Sequence, residues 1–263
     1  MSDAALPMPR SLSPSSVSSF RDCPRAFQYA YVERLPQAPT VPASKGTLVH
    51  RALELLYERV PDERVPDALV SDVDRAAEEL APLPEFAGLE LSTDDWGAFL
   101  ADAHRLAQRI FELEDPRVIH PIGLELKLES NANGVRLRGI IDRLELDADG
   151  GLIVTDYKSG SVPRQQYEAS KLQGVHFYSL LCETMLGKRP SRVQLLYLSK
   201  PEAIIATPSP QTVRGAQMKV SAVWSAVERA CANDDFRPNP GRLCDWCSYR
   251  SLCPAFNTLE ASA

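Results

Sequence analysis

Residues 122–158 constrain the fold more than any other stretch, because they read as three strands joined by two tight turns. In "IGLELKLES" the apolar residues Ile122, Leu124, Leu126 and Leu128 alternate with Glu125, Lys127 and Glu129, the period-two pattern of a half-buried strand. "NANG" is a hairpin signal, since two-residue turns favour Asn-Gly. "VRLRGIIDRLELD" then supplies a second strand, "ADGG" a second turn and "LIVTDYK" a third strand. A turn at Asn133-Gly134 sets Glu125 opposite Asp142, and a turn centred on Asp149 sets Asp142 opposite Asp156.

Directly opposed residues have Cβ atoms ~4.5–5.5 Å apart, so three acids would stand in a row. Lys158, two residues after Asp156, shares its face. Carboxylates at that distance repel unless a proton, a basic neighbour or a divalent cation offsets them. Hard oxygen ligands favour magnesium or manganese over zinc. The bland alternative is a register shifted by one, with acids facing different ways and Asp156–Lys158 a surface ion pair.

Helical signals flank this meander. Ser13-Pro14 reads as a helix start, and Pro24 restarts an aromatic run. Residues 46–60 show helical spacing through Val49, Leu53, Leu56 and Val60, and residues 94–114 read as a longer helix. A helix from Gln165 to Leu186, a strand over 192–199 and a helix over 211–232 follow. The fold class is therefore α/β, a mixed central sheet flanked by helices. We read a single domain over 1–263: a flexible start at 1–12, terminal segments at 13–36 and 237–256, a helical region at 43–115 and a core at 117–232.

The net charge of −6 argues against nucleic acid only until it is located. Between Asp62 and Asp95, 11 acids face Arg64 and Arg75, a local −9, which leaves +3 for the rest. That segment reads as a solvated helical region, and a basic channel elsewhere stays open. No apolar run approaches the ~20 residues of a membrane span, and the N-terminus lacks the order of a secretory signal. The reading is cytoplasmic with no membrane partner, where thiols stay reduced and six cysteines suggest metal or reactivity.

Cys244-x2-Cys247-x5-Cys253 has metal-ligand spacing but offers three ligands, and Cys23 in "FRDCPRAF" is the natural fourth. Four thiolates suit zinc or an iron–sulfur cluster. Such a group would clasp the two ends of the domain, turning its binding energy into folding energy. Cys182 and Cys231 lie in apolar helical patterns and read as ordinary buried residues.

Five segments, in order, resemble the RecB-like exonucleases of the PD-(D/E)XK nuclease superfamily, of the type carrying a four-cysteine iron–sulfur cluster, as in CRISPR-associated and AddB-type members. They are "SPSSVSSFRDCPRAF", "GTLVH", "GIIDR", "DYKSG" and "CDWCSYRSLC". The resemblance implies that His50, Asp142, Asp156 and the Tyr157 carbonyl bind Mg2+ or Mn2+, with Lys158 positioning water and stabilising phosphate charge. It gives Glu125 a supporting acidic role, and Cys23, Cys244, Cys247 and Cys253 a [4Fe-4S] cluster, with structural Zn2+ as the alternative. Gln173 would contact DNA or orient the lysine. The family pattern wants a tyrosine four residues after it, but Phe177 stands there and Tyr178 comes one later, beside His176. Tyr178 and Arg143 are candidate DNA contacts.

The activity implied is divalent-metal-dependent exonucleolytic hydrolysis of DNA, of single strands or ends, in repair or processing. The chain has no phosphate-binding G-x4-G-K-[ST] loop, so a helicase or repair partner would be a separate polypeptide. The competing reading is a non-catalytic DNA-binding or scaffold subunit that keeps the fold, against which the intact Asp142, Asp156 and Lys158 argue.

Overall fold

The computed structural model describes residues 6–257; within the long helix 165–186, the side chains of residues 165, 167–171 and 173 lie outside that description. The role expected of Gln173 therefore concerns a side chain outside the described residues.

The chain opens with helices α1 (Pro14–Asp22), α2 (Pro24–Phe27), α3 (Val41–Glu58), α4 (Pro66–Leu80), α5 (Pro84–Ala87), α6 (Thr93–Gln108) and α7 (Ile110–Leu113). Strands β1 (Pro121–Ala132), β2 (Val135–Leu146) and β3 (Leu152–Lys158) follow, then α8 (Gln165–Leu186), β4 (Arg192–Tyr197), β5 (Glu202–Ala206) and α9 (Pro210–Asn233). The five strands form one sheet in the order β1-β2-β3-β4-β5, with β3 and β4 parallel and the other pairs antiparallel.

Turn chemistry sets the register. Asn133 and Gly134 adopt φ of 53° and 82°, the left-handed pair that a tight hairpin needs, and the Gly134 N–H donates to Asn131 Oδ1 at 2.9 Å. Ala132 thus faces Val135, Leu126 faces Ile141 and Leu124 faces Arg143. Between β2 and β3, Arg143 faces Thr155 and Leu144 faces Val154. Glu125, Asp142 and Asp156 fall in one row on this register.

The side-chain alternation of β1 does not run straight through. Leu126 and Leu128 pack with α8 and α9, Leu124 packs with α3, α4 and α6, and Ile122 is 54% exposed. The expectation that these four share one face is corrected. The cause is Glu125, whose φ of 43° puts a non-glycine residue in the left-handed region and turns the strand about its axis. This costs ~1–2 kcal/mol, and such outliers cluster at functional sites. β2 switches beside it: Leu137, Ile141 and Leu144 all enter the same apolar cluster.

Two apolar clusters flank the sheet. One joins α8, α9 and the start of the chain to β1–β5, and the other joins α3, α4 and α6 to Tyr157, Leu196 and Leu198. The acidic segment is more than a solvated helix, since Leu69, Val73, Ala76 and Ala77 of α4 are buried and Asp72 pairs with Arg59 at 2.6 Å. Val60 lies beyond the end of α3 and is 60% exposed, so it does not belong to the helical stripe. The helix expected over 94–114 breaks at Arg109 into α6 and α7. Strand β5 is not evident from the sequence, because its five residues follow β4 through a short turn with only brief apolar content.

Candidate active site

Three elements far apart in sequence meet at the row of acids. Helix α3 delivers His50, whose Nε2 lies 3.1 Å from the Tyr157 carbonyl and whose Nδ1 lies 3.5 Å from Asp142 Oδ2 and 4.0 Å from Glu125 Oε1. Asp142 Oδ2 in turn accepts the Tyr157 main-chain N–H at 2.7 Å. One ligand atom each from His50, Glu125 and Asp142 lies within 4.8 Å of the others, a spacing that a single cation spans. Asp156 stands outside this triple; its Oδ2 pairs with Lys158 Nζ, as their shared strand face requires.

The glycines of two motifs explain how the helices come so close. A Cβ on Gly139, the first residue of "GIIDR", would stand 2.7 Å from Leu181 Cδ1 and 3.0 Å from Tyr178 Cε1, so its absence lets α8 lie against β2. Gly46 of "GTLVH" faces Ser159 Oγ, which a Cβ would meet at 3.1 Å, allowing α3 to approach the end of β3.

Burial and crowding set the electrostatics. Burial, then the charge of Asp156, holds the Asp142 carboxyl well above the usual range. Burial, reinforced by Asp142, pushes Glu125 up to about 7. Burial lowers His50 despite the neighbouring carboxylates, so its nitrogens are available as neutral ligands. Burial also opposes the charge on Lys158, but Asp156 outweighs it and the ammonium is held more firmly than usual. The acids are crowded beyond what they can bear ionised, and a divalent cation would relieve them. The donor set, carboxylate oxygens with one imidazole, fits such an ion.

The acids line an open groove together with Lys158, Gly174, Val175, Tyr178 and residues of α1. Tyr178 thus borders the groove, while the burial of its ring and the nearby carboxylates raise its pKa. Arg143 does not reach it. Its side chain is 0% exposed, bonded to Tyr157 Oη at 2.9 Å and to both oxygens of Glu114, paired with Glu145 at 2.9 Å, and stacked 4.5 Å over Tyr57. The reading of Arg143 as a DNA contact is corrected: a guanidinium this enclosed supports the sheet from behind the site. Glu114 escapes a reading of the sequence because nothing in "FELED" announces a partner 29 residues away.

The two ends of the chain also meet. Cys23, Cys244, Cys247 and Cys253 line one small cavity with Asn239 and Tyr249. The Asn239 N–H donates to Cys23 Sγ and the Gly241 N–H to Cys244 Sγ, each at 3.4 Å. Tyr29 Oη donates to the Leu252 carbonyl and Asn239 Nδ2 to the Asp22 carbonyl, both at 2.9 Å. Cys182 and Cys231 are buried in apolar surroundings away from this cavity, as expected.

A mixed sheet with an acidic row and a strand-borne lysine defines a class of nuclease fold. Residues 11–254 match the PD-(D/E)XK nuclease superfamily, and the chain belongs to it. Among solved structures it is similar to the "Putative exonuclease" from Eubacterium rectale, with a TM-score of 0.58 and 13% identity over 91% of this chain and 88% of that one. At that identity the likeness shows the fold alone. The crystal structure of SSO0001 aligns over 95% of this chain and 88% of its own at 12% identity, with a TM-score of 0.46, too loose a likeness to argue from. No curated protein matches the chain at a significant level. No helix among the described residues is long and apolar enough to cross a membrane.

Proposed function

We propose that this nuclease is a divalent-metal-dependent exonuclease acting on DNA single strands or ends. The observation that carries the reading is the convergence of His50, Glu125 and Asp142 within 4.8 Å, beside the Asp156–Lys158 pair, at an open groove. His50, Glu125 and Asp142 would hold Mg2+ or Mn2+, with Asp156 and the Tyr157 carbonyl as further candidate ligands. A bound divalent ion supplies Lewis-acid stabilisation of charge and lowers the pKa of water. Lys158, a firm cation, orients the attacking water and donates to the phosphate oxygens as negative charge builds on them. As the water oxygen bonds to phosphorus and gives up a proton to solvent, the P–O3′ bond breaks and the 3′ oxygen leaves and takes a proton from solvent; a bound divalent ion would offset its charge on the way. The exonucleolytic character draws its support from the resemblance of the five sequence segments to RecB-like exonucleases.

The four cysteines are proposed to hold a [4Fe-4S] cluster that clasps the termini. Two main-chain N–H donors point at sulfur, contacts that would also stabilise ligated thiolates. Structural Zn2+ is the alternative, since four thiolates suit either group. A role in DNA repair or processing, alongside a separate helicase or repair protein in the cytoplasm, completes the proposal.

The test is digestion of 5′- and 3′-labelled linear DNA and of circular single strands with Mn2+, comparing wild type with Lys158→Ala. Linear strands should shorten from an end, circles should survive, and the variant should be slower by about 100-fold or more. Undiminished cleavage by the variant would remove Lys158 from the mechanism, and cleaved circles would replace the exonuclease by an endonuclease.

A further inference from the structure

The groove that holds the acids continues beyond them, along α1. Leu12 pairs with Leu137 of β2, with N–H and carbonyl bonds to Arg136 and Arg138 at 2.9 Å, and α1 begins immediately after. On that same side of β2, the ladder with β3 starts only at Arg143 opposite Thr155. Between these two seams, Gly139, Ile140 and Asp142 border the groove, so the sheet has a notch with the acids at one end and α1 at the other.

The lining of this extension is polar and cationic. Helix α1 turns Val17 and Phe20 inward against the core, while Ser15, Ser18 and Arg21, spaced three apart on the other face, line the groove. Lys127 and Arg138 of the β1–β2 hairpin also line it, both exposed; Arg138 is the cross-strand neighbour of Glu129, yet neither cation makes an ion pair among the described residues. The acids that share this stretch are already engaged: Glu129 bonds Arg136 at 2.6 Å, and Asp22 pairs with Arg21 at 3.3 Å. The helix N-terminus is not the attraction, because Ser13 and Ser16 cap it reciprocally. What remains is a row of hydroxyls beside Lys127 and Arg138, neither of which makes an ion pair among the described residues, in a chain whose net charge is −6.

We infer that this α1–hairpin groove is a track for the sugar–phosphate backbone of a single DNA strand, with Lys127 and Arg138 contacting phosphates and Ser15 and Ser18 donating to phosphate oxygens. The inference rests on the proposed nuclease function and assigns the substrate's path to it. A single strand is the occupant because the Asp142 and Asp156 side chains are recessed, each 10% exposed, where one backbone can descend, while Ile140, 43% exposed, offers its bases an apolar contact. A duplex would rest on the rim with its scissile phosphate held above the acids.

The test measures anisotropy of a fluorescein-labelled single strand, and of a blunt duplex of equal length, with no divalent ion added. Lys127→Ala/Arg138→Ala should weaken single-strand binding by about 10-fold and reduce the slope of log K against log salt by about 1.4, near 0.7 for each phosphate no longer neutralised. Ser15→Ala/Ser18→Ala should weaken binding less and leave the slope unchanged. Arg229→Ala, on the exposed face of α9, should match wild type. In Mn2+ the cation variant should raise KM with kcat retained, its melting temperature unmoved. Wild-type affinity and slope in that variant, or equal affinity for the duplex, would overturn the track. Failure of the wild type to cleave any DNA would instead sink the nuclease reading, and the binding arm would still judge the groove.

Discussion

Asp142 reaches across from β2 to accept the main-chain N–H of Tyr157 on β3 at 2.7 Å, one step past the last regular rung of their ladder. The side chain takes over where the ladder stops. Tyr157 is thereby held at both ends of its peptide environment, its N–H by Asp142 and its carbonyl beside His50 Nε2. One carboxylate both closes the sheet and presents its charge to the groove.

Asp142→Asn keeps an oxygen to accept that N–H and so preserves the fold, but removes the anionic ligand. We expect the melting temperature without metal to stay within a few degrees of wild type or to rise, since crowding among the acids is relieved. Mn2+ should no longer raise it, and DNA cleavage should fall by about 100-fold or more. Calorimetric titration with Mn2+ decides; wild-type metal affinity in this variant would exclude Asp142 as a ligand.

Behind the site, Arg143 is a buried cation satisfied by Glu114, Glu145 and Tyr157. Glu114→Leu leaves it under-compensated, and breaking a buried pair typically costs ~3–5 kcal/mol. A drop in melting temperature of roughly 10 °C should follow. Arg143→Lys should also destabilise, because an ammonium cannot reach all of these partners with one planar fork. Thermal melts of both variants check this; unchanged melting would mean that the network is not holding Tyr157.

Glu125, raised to about 7, gives the metal response a pH dependence of definite sign. Between its ordinary value and about 7, the folded metal-free protein holds a proton that the unfolded chain releases, so this group favours folding at acid pH and loses that contribution as pH rises through 7. A cation competes with that proton. The rise in melting temperature on adding Mn2+ should therefore be small at about pH 5.5 and large at about pH 7.5, and Glu125→Gln should flatten the difference. An equal shift at both pH values would place Glu125 away from the ion.

Anaerobically purified protein should absorb near ~400 nm if the cysteines hold iron and sulfide, whereas bound zinc is colourless. Cys247→Ser should bleach that absorbance and lower thermal stability, because the group ties the first helices to the C-terminal segment. A colourless wild-type protein containing one zinc would replace the cluster with the simpler ion.

Much of the sheet can be read from the linear chain. Asn133-Gly134 and the glycines near Asp149 specify their turns locally, and a strand's period of two carries the register outward from each turn. That is why the alignment of Glu125, Asp142 and Asp156 is legible without coordinates. Alternation alone cannot show that Glu125 adopts a left-handed conformation and swings Leu124 to the opposite side from Leu126. Nor can it show that Arg143, polar and next to a site acid, is wholly enclosed.

Local chemistry thus dictates turns, pairing and which acids are neighbours, because those depend on backbone preferences acting over a few residues. Packing decides that α3 carries His50 to Tyr157, that Glu114 neutralises Arg143, that Leu12 seams onto β2, and that the four cysteines gather. Each of these joins residues widely separated along the chain, and such contacts form only when apolar faces are buried together and the polar groups trapped between them must find partners.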